Sequence, residues 1–580
     1  MHRVVNSVRR YVLCLLAVCL AMWPSGNAGA ATDSLSEQDR IEAAIPTKAL
    51  VPPRKPRKLL IFDLNVGYGG HASIRTANAA FTRMGKKTGA FATVVSRDPS
   101  IFRPDSLRQF DAVFFNNTVG NLFTDPVLRQ NLVRFVYRGG GLLGVHGTSV
   151  AFTQWPGALE DWPEFGLMLG ARGANHRENT ERVTLAVEDP DHPLTRVFPR
   201  HGFEYRDEFF RVHEPYSRQR VRVLLRIDTN RTDLAQGRGF GNLERPDGDF
   251  ALAWVRNYGR GRTFYCTIAH NPYVFWDARM LEFYFRAIQF ALGDLPAPTA
   301  PSSYCTPALH AQERLGWRLG LAAPKRASAS TLFETIDQAA ALRLAYLQAS
   351  DRQAVSRQAP KSFSPLGDRG DLLSEGEMRD LRVKLDAAVV RLLAYELTQT
   401  PADLAAWRRL FAFARDLGVE VITAQPPRAL LPAIARLGQD YELRLALTPA
   451  PATNSPKPGS PVSTWTRARR FAPWLGVDAD LADWEQLRLD PVRTARKLAD
   501  GLAVVRLNGA TFGLTPAAGA EPPQPGSSAS LFLRDIHRSS GPPPVFLIPH
   551  ESPPSGQALP LIGAFGRAAL RLAPPPERRP

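Results

Sequence analysis

Histidine is concentrated in the first half of this chain. Seven of the eleven histidines lie between residues 59 and 293, and three of them follow apolar runs that are typical of buried strands. These three are His71 after residues 58–63, His146 after residues 142–145 and His270 after residues 263–268. Because open α/β sheets bind ligands at the carboxyl ends of their strands, we expect the three imidazoles to share one crevice.

His146 lies at the apex of a predicted sharp turn. Residues 139–149 read GGGLLGVHGTS, a buried strand that runs into a turn, and its glycines permit a strained backbone and a close helix. At such an elbow a cysteine or serine would indicate a nucleophile. Histidine indicates acid/base or metal chemistry instead.

Two chemical roles stay open for these side chains. In the first, His146 and His270 are the catalytic acid and base, with Asp207 or Glu208 orienting or charging them. In the second, a divalent metal such as zinc is bound. The candidate metal ligands are His71, His146, His176 and His270, with Glu208 as a carboxylate ligand. No HExxH pair is present, so a metal site depends on residues that are distant in sequence.

Other polar and aromatic side chains have less specific signals. We predict His71, His176, Tyr273 and Trp276 as substrate-binding residues. His192 either braces a turn or contacts ligand, while His201 and His213 lie in a polar stretch that is typical of a surface. Aromatic residues that either stack on a sugar ring or pack in the core are Tyr68, Trp155, Trp162, Tyr273, Phe275 and Trp276.

The elements that must position these residues indicate an α/β protein of two domains. Residues 57–293 alternate strand-like and helix-like segments, which predicts a doubly wound parallel sheet of the flavodoxin or amidotransferase kind. A linker over residues 294–312 contains PAPTAPSS, and residues 313–580 contain eight strand candidates separated by helices. That second pattern predicts a (β/α)₈ barrel.

The N-terminus predicts export. Residues 1–30 contain Arg9-Arg10, an apolar run over residues 11–23 and the small-residue site AGA, so we expect a signal peptide cleaved after Ala30. The run is too short for a comfortable membrane span, and the predicted location is secreted or periplasmic. A Pro-rich lead follows at residues 31–56.

Composition excludes several classes of partner. Removal of the predicted leader leaves two cysteines, Cys266 and Cys305, which cannot form a disulfide framework or a CxxC zinc site. The formal net charge is +17, but arginine is scattered and no recognition motif occurs, so nucleic acid is not an expected partner. The loop GYGG at residues 67–70 is not a GxGxxG turn, and we expect no nucleotide cofactor. The oligomeric state is not predicted.

Residues 57–293 resemble the ThuA-like, or trehalose-utilisation, family, which has a class I glutamine amidotransferase-like fold. The resemblance rests on GLLGVH at 141–146, DPDHPLT at 189–195, YRDE at 205–208, AW at 253–254, YGRGRTFY at 258–265 and AHNPY at 269–273. It implies that His146 occupies the position of the amidotransferase cysteine and His270 that of its histidine. Cysteine-dependent glutamine hydrolysis is therefore excluded, since Cys266 lies within a strand.

Residues 313–580 resemble the xylose isomerase-like barrels of sugar phosphate isomerases and epimerases. The similar segments are FETID at 333–337, LSEGE at 373–377, WRRLFAFA at 407–414 and DLADW at 480–484. That group holds a divalent metal with acidic and histidine ligands at strand ends. Here Gln425, Thr448, Asp483 and Arg506 occupy such places, and only Asp480 and Glu551 keep the expected type. We therefore interpret the barrel as degenerate, an accessory module that binds glycan, covers the first cleft or acts as a scaffold.

These observations predict an exported ThuA-like protein of carbohydrate metabolism. The resemblance implies a carbohydrate ligand, either a keto-sugar or an oxidised glycoside, and hydrolysis, lyase chemistry and isomerisation stay open. The alternative is a non-catalytic carbohydrate-binding or scaffold protein built from two retired enzyme folds. A third hypothesis is that the chain is a redox partner in a sugar-oxidising complex, but no cofactor-binding motif in the sequence supports it.

Overall fold

A computed structural model describes residues 35–575 apart from 155–160, 236, 241–242, 244, 326–329, 359, 367–371, 450–459, 515–526, 551–555 and 557. The predicted leader, Trp155 and Glu551 lie outside the described residues. None of the described helices is long and apolar enough to cross a bilayer.

The first domain contains twelve strands and six α-helices among the described residues. The strands are β1 (Lys58–Phe62), β2 (Ala92–Ser96), β3 (Ala112–Asn116), β4 (Gly141–Val145), β5 (Arg172–Arg177), β6 (Glu181–Val187), β7 (Phe203–Asp207), β8 (Arg211–His213), β9 (Arg222–Ile227), β10 (Gly239–Phe240), β11 (Ala251–Tyr258) and β12 (Gly261–Cys266). The helices are α1 (Glu37–Ala44), α2 (Ser73–Thr88), α3 (Pro104–Leu107), α4 (Pro126–Tyr137), α5 (Pro163–Leu169) and α6 (Ala278–Ala291).

The main sheet has the order β2-β1-β3-β4-β12-β11-β9-β6-β7. The first five strands are parallel, which confirms the predicted doubly wound core, whereas the last four pair in antiparallel fashion. The change of direction has a local cause, because only Gly259 and Arg260 connect β11 to β12 and so short a link forms a hairpin. Gly259 has a φ of 58°, and a side chain there would collide with Tyr137.

Successive side chains of the inner strands point to opposite faces of the sheet, and an apolar layer lies on each face. Leu59 and Ile61 of β1 pack with α2 and α6, while Leu60 and Phe62 pack on the opposite face near α4. Helix α1 lies within the segment predicted as a Pro-rich lead, and its Ile41 is buried in the first of these layers. The segment predicted as a Pro-rich lead therefore contributes a buried side chain to the core of this domain.

The second half closes into the predicted barrel, whose eight strands pair in parallel. They are β13 (Arg318–Leu321), β14 (Tyr346–Ser350), β15 (Arg391–Glu396), β16 (Val421–Ala424), β17 (Arg444–Leu447), β18 (Leu475–Asp480), β19 (Leu502–Arg506) and β20 (Val545–Ile548). The described helices are α7 (Pro307–Leu315), α8 (Leu332–Ala341), α9 (Glu375–Ala388), α10 (Leu404–Asp416), α11 (Leu431–Tyr441), α12 (Pro461–Ala468), α13 (Leu481–Gln486), α14 (Pro491–Leu498), α15 (Ser528–His537) and α16 (Ala558–Leu572). Helix α7 begins inside the segment predicted as a linker.

The two domains contact each other largely through the amino ends of their strands. Arg138, just before β4, pairs with Asp416 at the end of α10. Arg260, in the turn before β12, donates to the Glu442 carbonyl before β17 at 3.4 Å. Arg391, the first residue of β15, donates to Asn257 at 3.3 Å. The carboxyl ends of both sets of strands therefore face away from the interface, and the described part of the barrel does not cover the cleft of the first domain.

Candidate metal centre

The strand β4 ends at the predicted elbow, where His146 has a φ of 43° and is fully buried. Its Nδ1 lies 2.9 Å from the carbonyl oxygen of Thr267, which follows β12. The Tyr265 hydroxyl donates to the His146 carbonyl at 2.9 Å. These two contacts fix the imidazole against the neighbouring strand end and direct Nε2 into the crevice.

Strand β7 ends at Asp207 and Glu208 directly follows it, and the two predicted carboxylates make different contacts. Asp207 is buried and accepts hydrogen bonds from the backbone N–H groups of His270 and Asn271, both at 3.1 Å. Burial raises the pKa of Asp207 to about 7. This carboxyl group therefore anchors the loop that carries His270.

Glu208 points to the histidines instead. Its Oε1 lies 3.2 Å from His146 Nε2 and 3.4 Å from His270 Nδ1, and its Oε2 lies 3.3 Å from His176 Nδ1. Burial alone would raise the pKa of Glu208, but hydrogen bonds to His146, His176 and His270 outweigh it and hold the pKa well below its usual range. The group is therefore an ionised carboxylate among imidazoles.

His71 completes the cluster. One ligand atom from each of His71, His146, Glu208 and His270 lies within 4.8 Å of the other three. Burial, followed by the proximity of His146 and His270, lowers the pKa of His71 to about 2. Its Nδ1 is buried without a hydrogen-bond partner. The ring is therefore neutral and has an unused nitrogen, as an imidazole metal ligand requires.

The contact of His146 Nδ1 with the Thr267 carbonyl leaves Nε2 with a lone pair that faces the Glu208 carboxylate and a ring nitrogen of His270. Because the Thr267 carbonyl can only accept, Nδ1 carries the proton of the neutral ring. Nε2 then faces Glu208 at 3.2 Å and His270 Nδ1 at 3.2 Å. A second proton would relieve the contact, but burial lowers the pKa of His146 and opposes it. A divalent cation satisfies all three groups, and the carbonyl contact is the usual second interaction of a metal-binding histidine.

Three imidazole nitrogens and one carboxylate oxygen form a donor set that fits zinc and related divalent ions. Of the predicted metal ligands, His71, His146 and His270 share this cluster with Glu208. It is the one group of this kind among the described residues.

His176 lies beside the cluster on β5, a strand that we did not predict. Its Nδ1 is 2.7 Å from the Arg177 carbonyl and also contacts Glu208, and its side chain is 26% exposed. The exposed ring of Phe240 lies over it, with ring centroids 5.1 Å apart and planes 30° apart. On the other side of the crevice Tyr68 OH lies 3.4 Å from His71 Nε2.

The other predicted side chains occupy different places. Tyr273 donates its hydroxyl to the Arg206 carbonyl at 2.5 Å, and Trp276 lies under the Arg40 guanidinium at 4.9 Å, so both of these contacts lie outside the cluster. His192 braces its turn, with Nε2 2.9 Å from the Pro298 carbonyl and Nδ1 accepting from the Leu194 N–H. His201 and His213 are exposed, whereas Phe275 is buried.

Asn117 holds the crevice together and was not predicted. It is fully buried, has a φ of 53° and accepts from the Gly147 N–H at 3.0 Å. Its amide donates to Ser73 Oγ at 3.0 Å and to the Ala269 carbonyl at 2.9 Å. One side chain thereby joins the loops that carry His71, His146 and His270. The sequence signal was weak, a polar NNT run directly after the buried strand β3.

The corresponding end of the barrel has an internal cation. Arg506, at the end of β19, contacts Asp478 at 3.1 Å and Glu396 at 3.3 Å, and it donates to Gln348 at 3.0 Å. Thr448 donates to Asp478 at 3.3 Å and Gln425 donates to the Pro449 carbonyl at 3.2 Å. The guanidinium therefore pairs with two of the carboxylates that face the barrel mouth. Asp478 and Glu396 were not predicted, since the family motifs did not include them.

Comparison with known proteins agrees with the expected resemblance of the first domain. Residues 58–291 match the model of the ThuA family, described as trehalose utilisation. A ThuA-like protein from Bacteroides uniformis is 20% identical with a TM-score of 0.34, over 42% of this chain and 94% of its own. A xylose isomerase-like TIM barrel protein from Mycobacterium smegmatis, solved with magnesium, is 14% identical with a TM-score of 0.32, over 45% of this chain and 99% of its own. No curated protein matches the chain significantly in sequence.

Proposed function

We propose that the first domain is a metal-dependent enzyme that acts on a carbohydrate. The observation that carries the proposal is the buried lone pair of His146 Nε2, which faces the ionised Glu208 at 3.2 Å. The match of residues 58–291 to a family described by trehalose utilisation supports the substrate class. The proposal extends to a keto-sugar or oxidised glycoside as substrate.

In this proposal the residues of the crevice divide the work. His71, His146, His270 and Glu208 bind the ion, and zinc or another divalent metal would supply a Lewis acid at that point. Asp207 fixes the His270 loop through two backbone N–H groups. His176 contacts the outer oxygen of Glu208 and thereby orients that carboxylate.

Two exposed aromatic rings flank the crevice and suit a sugar. Tyr68 is 38% exposed beside His71, and Phe240 is 40% exposed over His176. Apolar faces of pyranose rings stack on such side chains, and an otherwise polar pocket gains binding energy from them. We propose that both rings contact the substrate. Tyr68→Ala and Phe240→Ala should each weaken sugar binding without removal of the metal.

Elemental analysis of the purified protein, combined with a turnover assay, tests the proposed function. We expect about one equivalent of divalent metal per chain, and loss of turnover after chelation that the same metal restores. The substrates are trehalose, its keto derivatives and related oxidised glycosides, with products followed by mass spectrometry. Absence of bound metal would contradict the metal site. Sugar binding by calorimetry with no product over long incubation would favour the non-catalytic alternative.

For the barrel we propose a non-catalytic role. Arg506 lies among Asp478, Glu396 and Gln348, so a cation already pairs with two of the carboxylates at its mouth. A second, metal-bound centre would have to displace this guanidinium. If purified protein holds two equivalents of metal per chain, this part of the proposal is wrong.

We also propose that the chain is exported with removal of residues 1–30. The basic, apolar and small-residue segments of that leader support the proposal. N-terminal sequencing of the protein recovered from the periplasm or medium should begin at Ala31. Recovery of the intact chain in the cytoplasm would contradict it.

A further inference from the structure

A basic surface lies on the outer helices of the barrel. Its cations are carried by α12, by the 3₁₀ turn that follows it (Arg469–Phe471) and by α14, which packs against α12. The five exposed side chains are Arg467, Arg469, Arg470, Arg493 and Lys497, and together we call them the basic face. Arg493 and Lys497 lie four residues apart on α14 and therefore share one side of that helix.

The charges of the basic face are not compensated within the described part of the protein. None of its five cations forms an ion pair there, whereas Arg496 on the same helix α14 pairs with Asp535 of α15 at 2.7 Å. The exposed carboxylates that adjoin α14 bind backbone groups instead. Asp490 accepts from a backbone N–H of α14 at 2.7 Å, and Asp500 accepts from the Ser540 N–H at 2.9 Å. The basic face therefore keeps an excess of positive charge.

An excess of this kind favours an extended anionic partner. Like charges on two adjoining helices repel each other, and a surface that carries many anionic groups relieves this repulsion. A small anion would contact only one or two of the five side chains. Every Lys or Arg close to an anionic lipid surface adds to the attraction, so a membrane uses the whole face.

An aromatic ring borders the basic face. Phe471 is half-buried, and the Arg470 guanidinium lies 4.7 Å from the centre of its ring. Aromatic rings are common where a protein meets lipid headgroups. Single-stranded nucleic acid instead needs exposed rings on which its bases stack, and α12, the 3₁₀ turn and α14 have no exposed aromatic side chain. The rings therefore favour a lipid surface over a nucleic acid.

We propose that the basic face binds an anionic phospholipid surface, so that the barrel attaches the protein to the outside of a membrane. The contact is electrostatic, between the five cations and the phosphate groups of the lipids. The proposed export supports this partner, because an exported protein meets lipid surfaces. The proposal goes beyond the carbohydrate activity of the first domain and does not depend on it.

Cosedimentation of the full-length holoprotein with lipid vesicles tests the proposal. One set of vesicles contains phosphatidylglycerol and phosphatidylcholine in equal amounts, and the other contains phosphatidylcholine alone. We expect binding to the anionic vesicles at about 50 mM salt, binding weaker by at least about tenfold at about 500 mM salt, and none to the neutral vesicles. Equal binding to both sets, or no binding to the anionic set, would overturn the proposal.

Variants of α12 and of the turn locate the contact. Arg467→Gln/Arg469→Gln/Arg470→Gln should weaken binding to the anionic vesicles by about 100-fold, because each charge contributes about fivefold near such a surface. The corresponding triple Lys variant should retain the binding. The matched control is a triple Gln variant at exposed arginines of the first domain, namely Arg103, Arg108 and Arg200, and it should bind like the unchanged protein. Equal losses in the two Gln variants would overturn the proposal, since binding would then depend on net charge alone.

Two further measurements keep the proposal decidable. If the triple Gln variant fails to fold, Arg493→Gln/Lys497→Gln on α14 replaces it and should weaken vesicle binding by about 20-fold. Fluorescence anisotropy with a single-stranded oligonucleotide, at the same salt, tests the other class of polyanion. Tighter binding of the oligonucleotide than of the anionic vesicles would show that the face serves a nucleic acid, and the proposal would be wrong.

Discussion

The crevice of the first domain and the mouth of the barrel are built alike but are charged differently. Both lie at the carboxyl ends of parallel strands, where polar side chains converge. In the crevice, Glu208 faces three imidazoles, and no lysine or arginine contacts its oxygens among the described residues. In the barrel mouth, Arg506 supplies the positive charge itself.

In the proposed function, the source of the positive charge distinguishes the two strand-end sites. A guanidinium and a divalent cation both pair with buried carboxylates. Only the cation leaves coordination positions for a substrate. In the barrel mouth, two of the carboxylates already pair with Arg506.

The largest expected effect follows from removal of a ligand in the crevice. His146→Gln should reduce bound metal from about one equivalent to less than about a tenth, because a buried ligand is lost. Elemental analysis after gel filtration measures this. His213→Gln, at an exposed histidine, and Glu396→Gln in the barrel should retain the metal. Loss of metal from Glu396→Gln would break the comparison, since the metal would then belong to the barrel.

The next effect concerns the barrel. Arg506→Met leaves the buried Asp478 without its partner and should lower the free energy of unfolding by about 3 to 5 kcal/mol. Urea titration measures the loss, and Arg493→Met on the surface should change it by less than about 0.5 kcal/mol. The double variant Arg506→Met/Asp478→Asn should recover part of the loss. A neutral Arg506→Met would show that the guanidinium is not needed there.

His192 differs from His146 because both ring nitrogens of His192 already make hydrogen bonds. Burial, together with Arg222, lowers its pKa to about 4 despite Asp189 and Glu313 nearby. The unfolded chain therefore binds more protons between pH 6.5 and 4, and stability falls as the pH falls through this window, by up to about 3 kcal/mol. Urea titrations at pH 7 and pH 4.5 measure the loss. His192→Gln should show a smaller loss over the same interval and should retain its metal; an equal loss would contradict the assignment.

The smallest expected effect belongs to a residue that positions the ligands. Asn117→Ala removes the link between the three histidine loops and should weaken metal binding by about 10- to 100-fold, as loss of an outer-shell partner does. Competition with a chelator measures this affinity. Asn131→Ala, whose side chain contacts the Phe102 carbonyl in the same domain, is the control. Unchanged affinity in Asn117→Ala would restrict its role to folding.

Periodicity and local turn signals were sufficient for much of the fold. The eight barrel strands were predicted because each is a short apolar run between helical segments, and the His146 elbow because glycines surround it. The antiparallel half of the first sheet was not predicted, although the two-residue connection at Gly259 forces a hairpin. Strand β7 was also missed, and without it Asp207 and Glu208 could not be distinguished.

Part of the candidate site could be predicted from the sequence, for a physical reason. Strand ends predict which residues approach one another, and His71, His146 and His270 followed that rule. Asn117 did not follow this rule, because its side chain contacts two residues that are 44 and 152 positions away in the sequence. No local sequence pattern indicates contacts of this kind. In the sequence, Arg506 was recognised only as a residue that occupies the place of a family metal ligand. Its pairing with Asp478 and Glu396 depends on three strands at once.

The contact between the amino ends of the strands of the two domains also sets the directions in which the two strand-end sites open. Since the crevice and the barrel mouth open in opposite directions, a polymer engaged at one would leave the other unobstructed. If the first domain turns over a carbohydrate as proposed, its product therefore has no sheltered route from the crevice to the barrel mouth.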